Sequence, residues 1–326
     1  MSYSIGVSIL CTAYNHEKYI KKCLEGFIMQ KTSFAYEVIV NDDASTDNTA
    51  SIIRQYSEKY PDLIKPIFQE SNQYSNGVKI ASDILFPKAQ GKYIAMCEGD
   101  DYWSDPNKLQ YQYDALENNQ DCHMCVCKTK VVKEDGSDSG KTMPSKKYNT
   151  GVWKRRDFLD RMVFDPVQTS SFFMRSSVLR NYYDENPAFR KICMVGDFTY
   201  RLYFGCKGDV FYIEDILTCY RQGSSGSISR AMEADQTKRI LQSQNMIDTV
   251  RAYDVYTNHE FSQICKRMEN RYEFMKLCWE GNYSKMLAKQ YREPLLRASL
   301  KRKLDICFSI CCPHLYSKLK KRLGLY

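Results

Sequence analysis

Three carboxylates lie within four residues at Glu98, Asp100 and Asp101, and we refer to residues 98–101 as the acid turn. The turn follows an apolar run, residues 92–97, whose composition predicts a buried strand. Clustered carboxylates repel one another and lose hydration on burial, so they need a nearby cation. A divalent metal ion suits them, because hard cations prefer carboxylate oxygens. A solvated acidic turn explains these four residues equally well, and both interpretations stay open at this point.

The first hundred residues alternate between strand patterns and helix patterns. Apolar, β-rich runs occupy residues 5–11, 36–40, 63–68 and 93–97, and amphipathic helical patterns occupy residues 17–29, 49–60 and 77–89. This alternation predicts an α/β fold with a parallel sheet. The pair Asp42 and Asp43 also follows a strand. Because the carboxyl ends of parallel strands share one sheet edge, we expect this pair and the acid turn to meet there.

The rest of the chain changes character near residue 231. A polar stretch at 133–150 predicts a long loop, interpreted as a mobile lid. Residues 209–213 and 216–220 predict two paired strands around Glu214 and Asp215. Helical patterns without strand signals fill residues 235–256, 259–281 and 283–300. We therefore predict an α/β domain over residues 1–230 and a helical C-terminal extension over residues 231–326.

Composition favours an ordinary globular protein. Of the 326 residues, 43% are hydrophobic and 26% charged, and the net charge is +8. The opening residues lack the basic segment and cleavage site of a signal peptide, so a cytoplasmic location is expected. The fourteen cysteines lie mostly in apolar runs, which favours reduced, buried thiols over disulfides. Cys122, Cys125 and Cys127 resemble half of a zinc site, but alternation around them fits a strand better.

Three segments carry a resemblance to a known family. Residues 7–15 (VSILCTAYN), 40–49 (VNDDASTDNT) and 89–101 (AQGKYIAMCEGDD) look like the ordered motifs of family 2 glycosyltransferases. The resemblance covers about residues 5–230, which would be the catalytic domain. It implies the GT-A fold, a Rossmann-like, mostly parallel sheet flanked by helices. Three motifs in order favour the metal site over the solvated turn.

The resemblance implies roles for the residues around the acid turn. Asp100 is the expected ligand of Mn²⁺ or Mg²⁺, and Asp101 is a second candidate. Such an ion stabilises the charge that builds on a departing diphosphate. Glu98 stands where the family usually has Asp, and it is expected to reach the ribose directly or through water. In the first strand-turn Thr12 and Tyr14 are expected at the nucleotide base, with Tyr14 stacked on it.

Two further groups complete the expected donor site. Asp42 or Asp43 would accept a hydrogen bond from a uracil N–H while the other touches the ribose, although helix capping is the alternative for these acids. Arg221 lies in a segment that resembles the closing Tyr-Arg loop of the family. Many relatives carry a histidine there. This chain has none, so Arg221 or the serine hydroxyls after it are expected to meet the diphosphate.

The catalytic base is expected at Asp197. Transfer requires a group that takes the proton of the acceptor hydroxyl. The family places an Asp at the start of a helix about a hundred residues beyond its metal motif, and MVGDFTYRL at residues 194–202 fits that pattern. Capping of the helix is the alternative role. Asp165 and Asp184 are weaker rivals, because nothing around them matches.

The expected function is inverting, metal-dependent transfer of a sugar from a nucleotide-sugar donor, which is UDP-linked by default. The expected acceptor is a glycan or a lipid-linked acceptor in the synthesis of a bacterial surface polysaccharide. No nucleic acid partner is expected. The tail, residues 300–326, combines an apolar segment with basic flanks. It would lie on an anionic inner-membrane surface or pack back on the catalytic domain. The alternatives are a nucleotidyltransferase, disfavoured because residues 11–18 lack a Gly-rich phosphate loop, and a non-catalytic nucleotide- or carbohydrate-binding protein.

Overall fold

The computed structural model describes residues 4–224, 235–312 and 314–315. The chain divides into two compact units. The first unit comprises Met1–Asn186 and Asp197–Ala231, and the second comprises Pro187–Gly196 and Met232–Tyr326. The predicted domain boundary after residue 230 stays a prediction.

A mixed sheet forms the centre of the first unit. Its strands are β1 (Val7–Ala13), β2 (Tyr36–Asp42), β3 (Ile64–Phe68), β4 (Tyr93–Glu98), β5 (Tyr102–Trp103), β6 (Cys122–Val132), β7 (Asp138–Met143), β8 (Gly151–Trp153), β9 (Phe173–Arg175) and β10 (Asp209–Arg221). They are ordered β3-β2-β1-β4-β9-β6-β10-β5, with β7 on β6 and β8 on β10. The first four in this order pair in parallel, as do β6 and β10, and the other pairings are antiparallel. The predicted α/β fold is confirmed.

Helices pack on this sheet and form the second unit. They are α1 (Ile20–Ile28), α2 (Thr49–Lys59), α3 (Lys108–Asn118), α4 (Arg155–Met162), α5 (Ser176–Glu185), α6 (Ala188–Ile192), α7 (Gly196–Lys207), α8 (Gln236–Tyr256), α9 (Ser262–Trp279), α10 (Arg292–Arg297) and α11 (Leu300–Cys311). In the first unit α2 packs on β3, α3 on β6 and α5 on β9. In the second unit α9 packs against α8 and α10. The helical C-terminal extension is therefore confirmed.

Helix α1 lies close to the strand that follows the acid turn. Phe27 of α1 meets the ring of Trp103 edge-on, with ring centroids 4.8 Å apart. A Cβ on Gly26 would come within 2.9 Å of the Trp103 carbonyl oxygen, so only glycine permits this approach. Phe27 and Trp103 are both buried. Each such side chain contributes about 1.5–3 kcal/mol on burial, and the contact holds α1 beside the acid turn.

The spacing of β1 and β4 depends on Gly91. A Cβ at this position would lie 2.3 Å from the Ser8 backbone nitrogen. The Ser8 hydroxyl accepts a hydrogen bond from the Gly91 N–H at 2.8 Å and donates one to Glu37 at 2.6 Å. The resulting register runs from Val7 opposite Tyr93 to Thr12 opposite Glu98. The end of β1 is thus placed directly beside the start of the acid turn.

Two local predictions in the sheet are wrong. Residues 209–220 form one strand, β10, rather than a hairpin, and its register with β6 shifts between Ile213 and Ile216. Within the shifted stretch, Glu214 forms a partly buried ion pair with Lys128 of β6 at 2.6 Å. The predicted loop at residues 133–150 contains β7. Near the end of this segment the Tyr148 N–H donates a hydrogen bond to Glu214 at 3.1 Å.

Three helix predictions also need correction. The helix expected over residues 77–89 is a π-helical turn, Ile80–Leu85, followed by a 3₁₀ turn. The helix expected over residues 283–300 is broken into two 3₁₀ turns and α10. The helix expected over residues 17–29 begins at Ile20, as α1, and Asn15 does not cap it. Asn15 instead adopts a left-handed φ of 54°, and its side-chain oxygen accepts the Thr46 N–H at 2.8 Å.

Candidate functional site

The acid turn leaves the carboxyl end of β4 and rests against the loop between β1 and α1. The Gly99 N–H donates to the Thr12 carbonyl at 2.8 Å, which ties the turn to β1. A Cβ on Gly99 would lie 2.9 Å from Nδ1 of His16 and 3.0 Å from Ile20. The glycine between the acids is therefore required for close contact, and it brings the carboxylates to the sheet edge.

Arg221 and Ser224 fasten the two aspartates of the turn. The Arg221 backbone N–H donates to Asp101 Oδ1 at 2.8 Å, and Arg221 Nε donates to the Asp100 carbonyl at 3.0 Å. The Ser224 hydroxyl donates to Asp100 Oδ2 at 2.6 Å. Oδ2 of Asp101 is buried and has no hydrogen-bond partner among the described residues. Each aspartate therefore keeps one oxygen that these contacts do not use.

The carboxylates of the acid turn lack sufficient counter-charge. Burial, followed by the charges of Asp100 and Glu98, raises the pKa of Asp101 well above its usual range, and the Arg221 contacts only partly oppose this. Surrounding protein and the charges of Asp100 and Asp197 likewise raise the pKa of Glu98. Because the Glu98 side chain is exposed to water, burial contributes less to its raised pKa than it does for Asp101. Such repulsion is what a bound cation relieves.

The carboxylates of the acid turn fit a divalent cation whose remaining ligands come from a bound phosphate group and water. Within residues 4–224 and the described part of the second unit, no three His, Cys, Asp or Glu side chains are arranged to hold a metal ion by themselves. Mg²⁺ in phosphate-handling sites typically takes one or two carboxylates and fills its shell with phosphate oxygens and water. Asp100 and Asp101 offer this number of carboxylates, and the buried Asp101 oxygen without a partner is consistent with it.

The predicted base-binding residues lie at the ends of β1 and β2. Tyr14 is 38% exposed, so its ring is available for stacking. Thr12 is half-buried beside Glu98. Asp43 accepts backbone N–H groups of residues 73 and 74 at 2.8 and 3.0 Å, so it also secures that loop. Asp42 accepts from the Ser45 N–H, and its buried Oδ1 has no partner among described residues. Their contacts with a nucleotide stay predictions.

His16 is a site residue that the sequence reasoning missed. Its Nδ1 atom is buried against Gly99 and has no hydrogen-bond partner among the described residues. Burial lowers the pKa of His16, although the charges of Asp100, Asp47 and Asp42 oppose this effect. The imidazole is therefore neutral at pH 7. Its position right after the first strand-turn motif was the available signal.

Asp197 lies in the first turn of α7, and its charge reaches the acid turn. After burial and the charge of Asp100, the charge of Asp197 is the third cause of the raised pKa of Glu98, so the predicted base lies within electrostatic range of the acid turn. Its Oδ2 forms an ion pair with Nη2 of Arg201 at 2.8 Å. Arg201 is itself buried and donates from Nη1 to the Val167 carbonyl at 3.0 Å. Arg201, also missed from the sequence, therefore fixes the orientation of the Asp197 carboxylate.

Arg221 acts as a brace in this structure. Its Nη1 donates to the carbonyls of Lys133 and Glu134 at 3.3 and 2.7 Å, while Nε holds the acid turn. The guanidinium lies 4.6 Å from the centre of the Tyr19 ring. The predicted contact between Arg221 and a diphosphate stays a prediction. The serine loop predicted after Arg221 lies outside the described residues from position 225 onward.

We expect Asp101→Asn to flatten the pH dependence of stability. The raised pKa means that the folded chain binds this proton more tightly than the unfolded chain does. The carboxylate therefore costs stability above its unfolded pKa of about 3.9, and stability recovers as the pH falls. Asparagine removes the charge and keeps an oxygen for the Arg221 N–H. Measured in EDTA, Tm should fall less between pH 5 and pH 8 for the variant than for the wild type.

Asp62→Asn is the matched control, since Asp62 is exposed and distant in sequence from the turn. It should reproduce the wild-type profile. Parallel Tm profiles for wild type and Asp101→Asn would show that Asp101 carries no such cost.

Comparisons with known proteins agree on a family. The profile of "Glycosyl transferase family 2" matches residues 8–182. An uncharacterised protein of Mycobacterium tuberculosis is 34% identical over 221 residues, which are 68% of this chain and 60% of the relative. This chain thus spans about three fifths of that relative's length. The putative teichuronic acid biosynthesis glycosyltransferase TuaG of Bacillus subtilis is 29% identical over 131 residues, 40% of this chain and 49% of TuaG.

Solved structures show the same fold. TarS of S. aureus in complex with UDP-GlcNAc aligns with a TM-score of 0.60 at 17% identity, covering 89% of this chain and 80% of that one. The mannosyltransferase PcManGT of Pyrobaculum calidifontis, in complex with GDP-Man and Mn²⁺, aligns with a TM-score of 0.57 at 13% identity, covering 98% and 87%. With the profile match over more than half of its length, the chain belongs to glycosyl transferase family 2.

Proposed function

We propose that this chain is an inverting glycosyltransferase that moves a sugar from a nucleotide-sugar, with UDP as the first candidate nucleotide, to a glycan or lipid-linked acceptor of a surface polysaccharide. One observation carries the proposal: the Asp197 carboxylate lies within electrostatic reach of the acid turn. The charge of the candidate base therefore acts on the turn that is the candidate diphosphate site. The names of TarS, crystallised with UDP-GlcNAc, and TuaG support the donor and acceptor classes.

The proposed reaction is a single displacement at the anomeric carbon. The acceptor oxygen forms a bond to that carbon while the bond from carbon to the diphosphate oxygen breaks, so the configuration inverts. The proton of the acceptor hydroxyl passes to Asp197, and the nucleoside diphosphate leaves with the bonding electrons. A divalent cation held by Asp100 and Asp101 would stabilise the negative charge on the leaving group.

The protein's own contribution is positioning. Arg201 holds Oδ2 of Asp197, and Oδ1 has no partner among the described residues, so one oxygen remains for the acceptor proton. The exposed ring of Tyr14 offers a stacking surface for the base. Asp42 presents its unused oxygen at the neighbouring strand end. Reactants that are held in place this way react without the entropy cost of a chance encounter.

A donor screen tests the proposal. UDP-, GDP- and dTDP-sugars are each added with Mn²⁺ or EDTA, while Tm and nucleotide release are followed. We expect one nucleotide class to raise Tm and to release nucleoside diphosphate only with the cation present. A chain that responds to no nucleotide would instead be a binding protein of another class. Cation-independent binding would remove the metal from the proposal.

We also propose that α11 docks on an anionic membrane surface. Its outward face carries Leu300 and Leu304, which are 73% and 60% exposed, and between them lies the exposed cation Lys301. Apolar side chains beside a cation suit the interface of a bilayer with anionic lipid. The opposite face packs inward through Ile306, which is 2% exposed. Among the described residues, no helix is long and apolar enough to cross a membrane.

Point variants test this docking better than truncation, because removing α11 would expose the core around Ile306. Leu300→Glu/Leu304→Glu should lower the fraction that floats with vesicles containing anionic lipid by about tenfold, since charges replace apolar contacts. Leu241→Glu, at a position that is 57% exposed on α8, is the control. Equal flotation of both variants would refute the docking.

A further inference from the structure

A cavity of about 660 Å³ includes Arg221 in its wall. It is lined by Lys18, Tyr19, Lys22, Lys133, Glu134, Asp135, Gly136 and Arg221. Neither the acid turn nor Asp197 contributes to this lining. The cavity has its own set of lining side chains and adjoins the acid turn through Arg221, which hydrogen-bonds to Asp100 and Asp101.

The charges of the lining favour an anion. The cations outnumber the acids by two. Lys18 and Lys133 have no carboxylate within ion-pair distance in the part of the chain that the structure describes, although the charge of Lys133 helps to lower the pKa of Asp135. Lys22 lies 3.8 Å from the centre of the Tyr102 ring, a contact that leaves its charge uncompensated. Glu134 accepts the Tyr19 hydroxyl at 3.2 Å, so one of the two acids is partly engaged. Cations around a concave surface concentrate field and attract anions.

Hydrogen bonds to the protein hold Arg221, which forms part of the cavity wall, in a fixed position. Arg221 is 5% exposed, and its Nε and Nη1 donate to three backbone carbonyls. Its Nη2 has no hydrogen-bond partner among the described residues, so this donor remains for a ligand. A guanidinium that is fixed by its other donors binds an oxyanion with little loss of side-chain freedom.

We propose that this cavity binds a diphosphate group that is separate from any ligand at the acid turn. The volume exceeds what a small inorganic ion needs, and the lining has four cations against two acids, an excess of positive charge that suits a diphosphate. Two sources carry this chemistry: a nucleoside diphosphate that has left the acid turn, and an acceptor linked to a lipid through diphosphate. The proposal concerns the cavity alone and stands whether or not the proposed transfer reaction is correct.

Calorimetry with inorganic pyrophosphate in EDTA tests the site, because removing divalent cations disables the site proposed at the acid turn. Wild-type protein should bind pyrophosphate, and binding should weaken with added salt as screening increases. Lys18→Ala/Lys22→Ala should weaken binding at least about tenfold, as expected for loss of two charged contacts. Lys21→Ala is the matched control, because Lys21 is on the same helix, 67% exposed and absent from the lining.

Two competitors distinguish the sources. Displacement of pyrophosphate by UDP would indicate the leaving nucleotide, and displacement by an isoprenyl diphosphate would indicate a lipid-linked acceptor. The proposal is overturned if pyrophosphate does not bind, if Lys21→Ala and the double variant bind alike, or if neither organic diphosphate competes. Pyrophosphate binding in EDTA by a protein that responds to no nucleotide-sugar with Mn²⁺ would separate failure of the proposed function from failure of this site.

Discussion

Replacing Asp197 with asparagine is expected to lower the rate of sugar transfer by roughly 10²–10⁴-fold, the usual contribution of a general base. Asparagine keeps the shape of the side chain but cannot take the acceptor proton. Its amide oxygen can still accept from Arg201, so α7 should stay in place. Single-turnover transfer, measured beside donor affinity by calorimetry, separates the two effects. The donor Kd should change by less than about threefold, because Asp197 acts on the acceptor.

Asp184→Asn provides the control for this experiment. Asp184 was one of the two weaker rivals from the sequence, with Asp165, and the structure places it exposed on α5. It should keep wild-type transfer and donor binding. If Asp197→Asn transfers sugar at the wild-type rate, Asp197 is a helix-terminal aspartate and the proposed base is wrong.

Asp100→Asn should have the second large effect, on donor binding itself. The substitution keeps an oxygen that can accept the Ser224 hydroxyl, but it removes the charge that would hold a cation. Because charge stabilisation of this kind is worth about 10²–10³-fold in rate, transfer should fall by at least that amount. Calorimetry with and without Mn²⁺ should show that the cation no longer strengthens donor binding.

The same measurement on Asp62→Asn should match the wild type, because this carboxylate is exposed and absent from the acid turn. An Asp100→Asn protein that still binds donor more tightly with Mn²⁺ would place the cation elsewhere. Asp101 would then be the remaining carboxylate of the turn with an unused oxygen.

The parts of the site that lie at strand ends were predictable from sequence. Alternating strand and helix patterns predicted a parallel sheet, and parallel strands bring their carboxyl ends to one edge. Asp42 and the acid turn were therefore expected at the same edge, and the structure places them at the ends of β2 and β4, on either side of β1. Arg201 was also within reach of sequence reasoning, because an arginine four residues after an aspartate on a helix commonly pairs with it.

Other features depended on contacts between distant residues. His16 reaches the site because Asn15 takes a left-handed conformation and Gly99 leaves room for the ring. The sequence places His16 directly after the first strand-turn motif, but it does not reveal that the ring is buried against Gly99. The hairpin predicted in β10 failed for a similar reason. Polar residues between two apolar runs normally mark a turn, but Glu214 has a partner in Lys128 across the sheet.

The shifted register of β10 makes this strand sensitive to length. Between Ile213 and Thr218 the strand spans five steps while β6 spans only two, from Cys127 to Thr129. Side chains alternate between faces, so losing one residue there would turn Arg221 to the other side of the sheet. Arg221 would then no longer hydrogen-bond to the acid turn or form part of the cavity wall. We therefore expect functional homologues to have no insertions or deletions in this segment, although surface loops usually tolerate them.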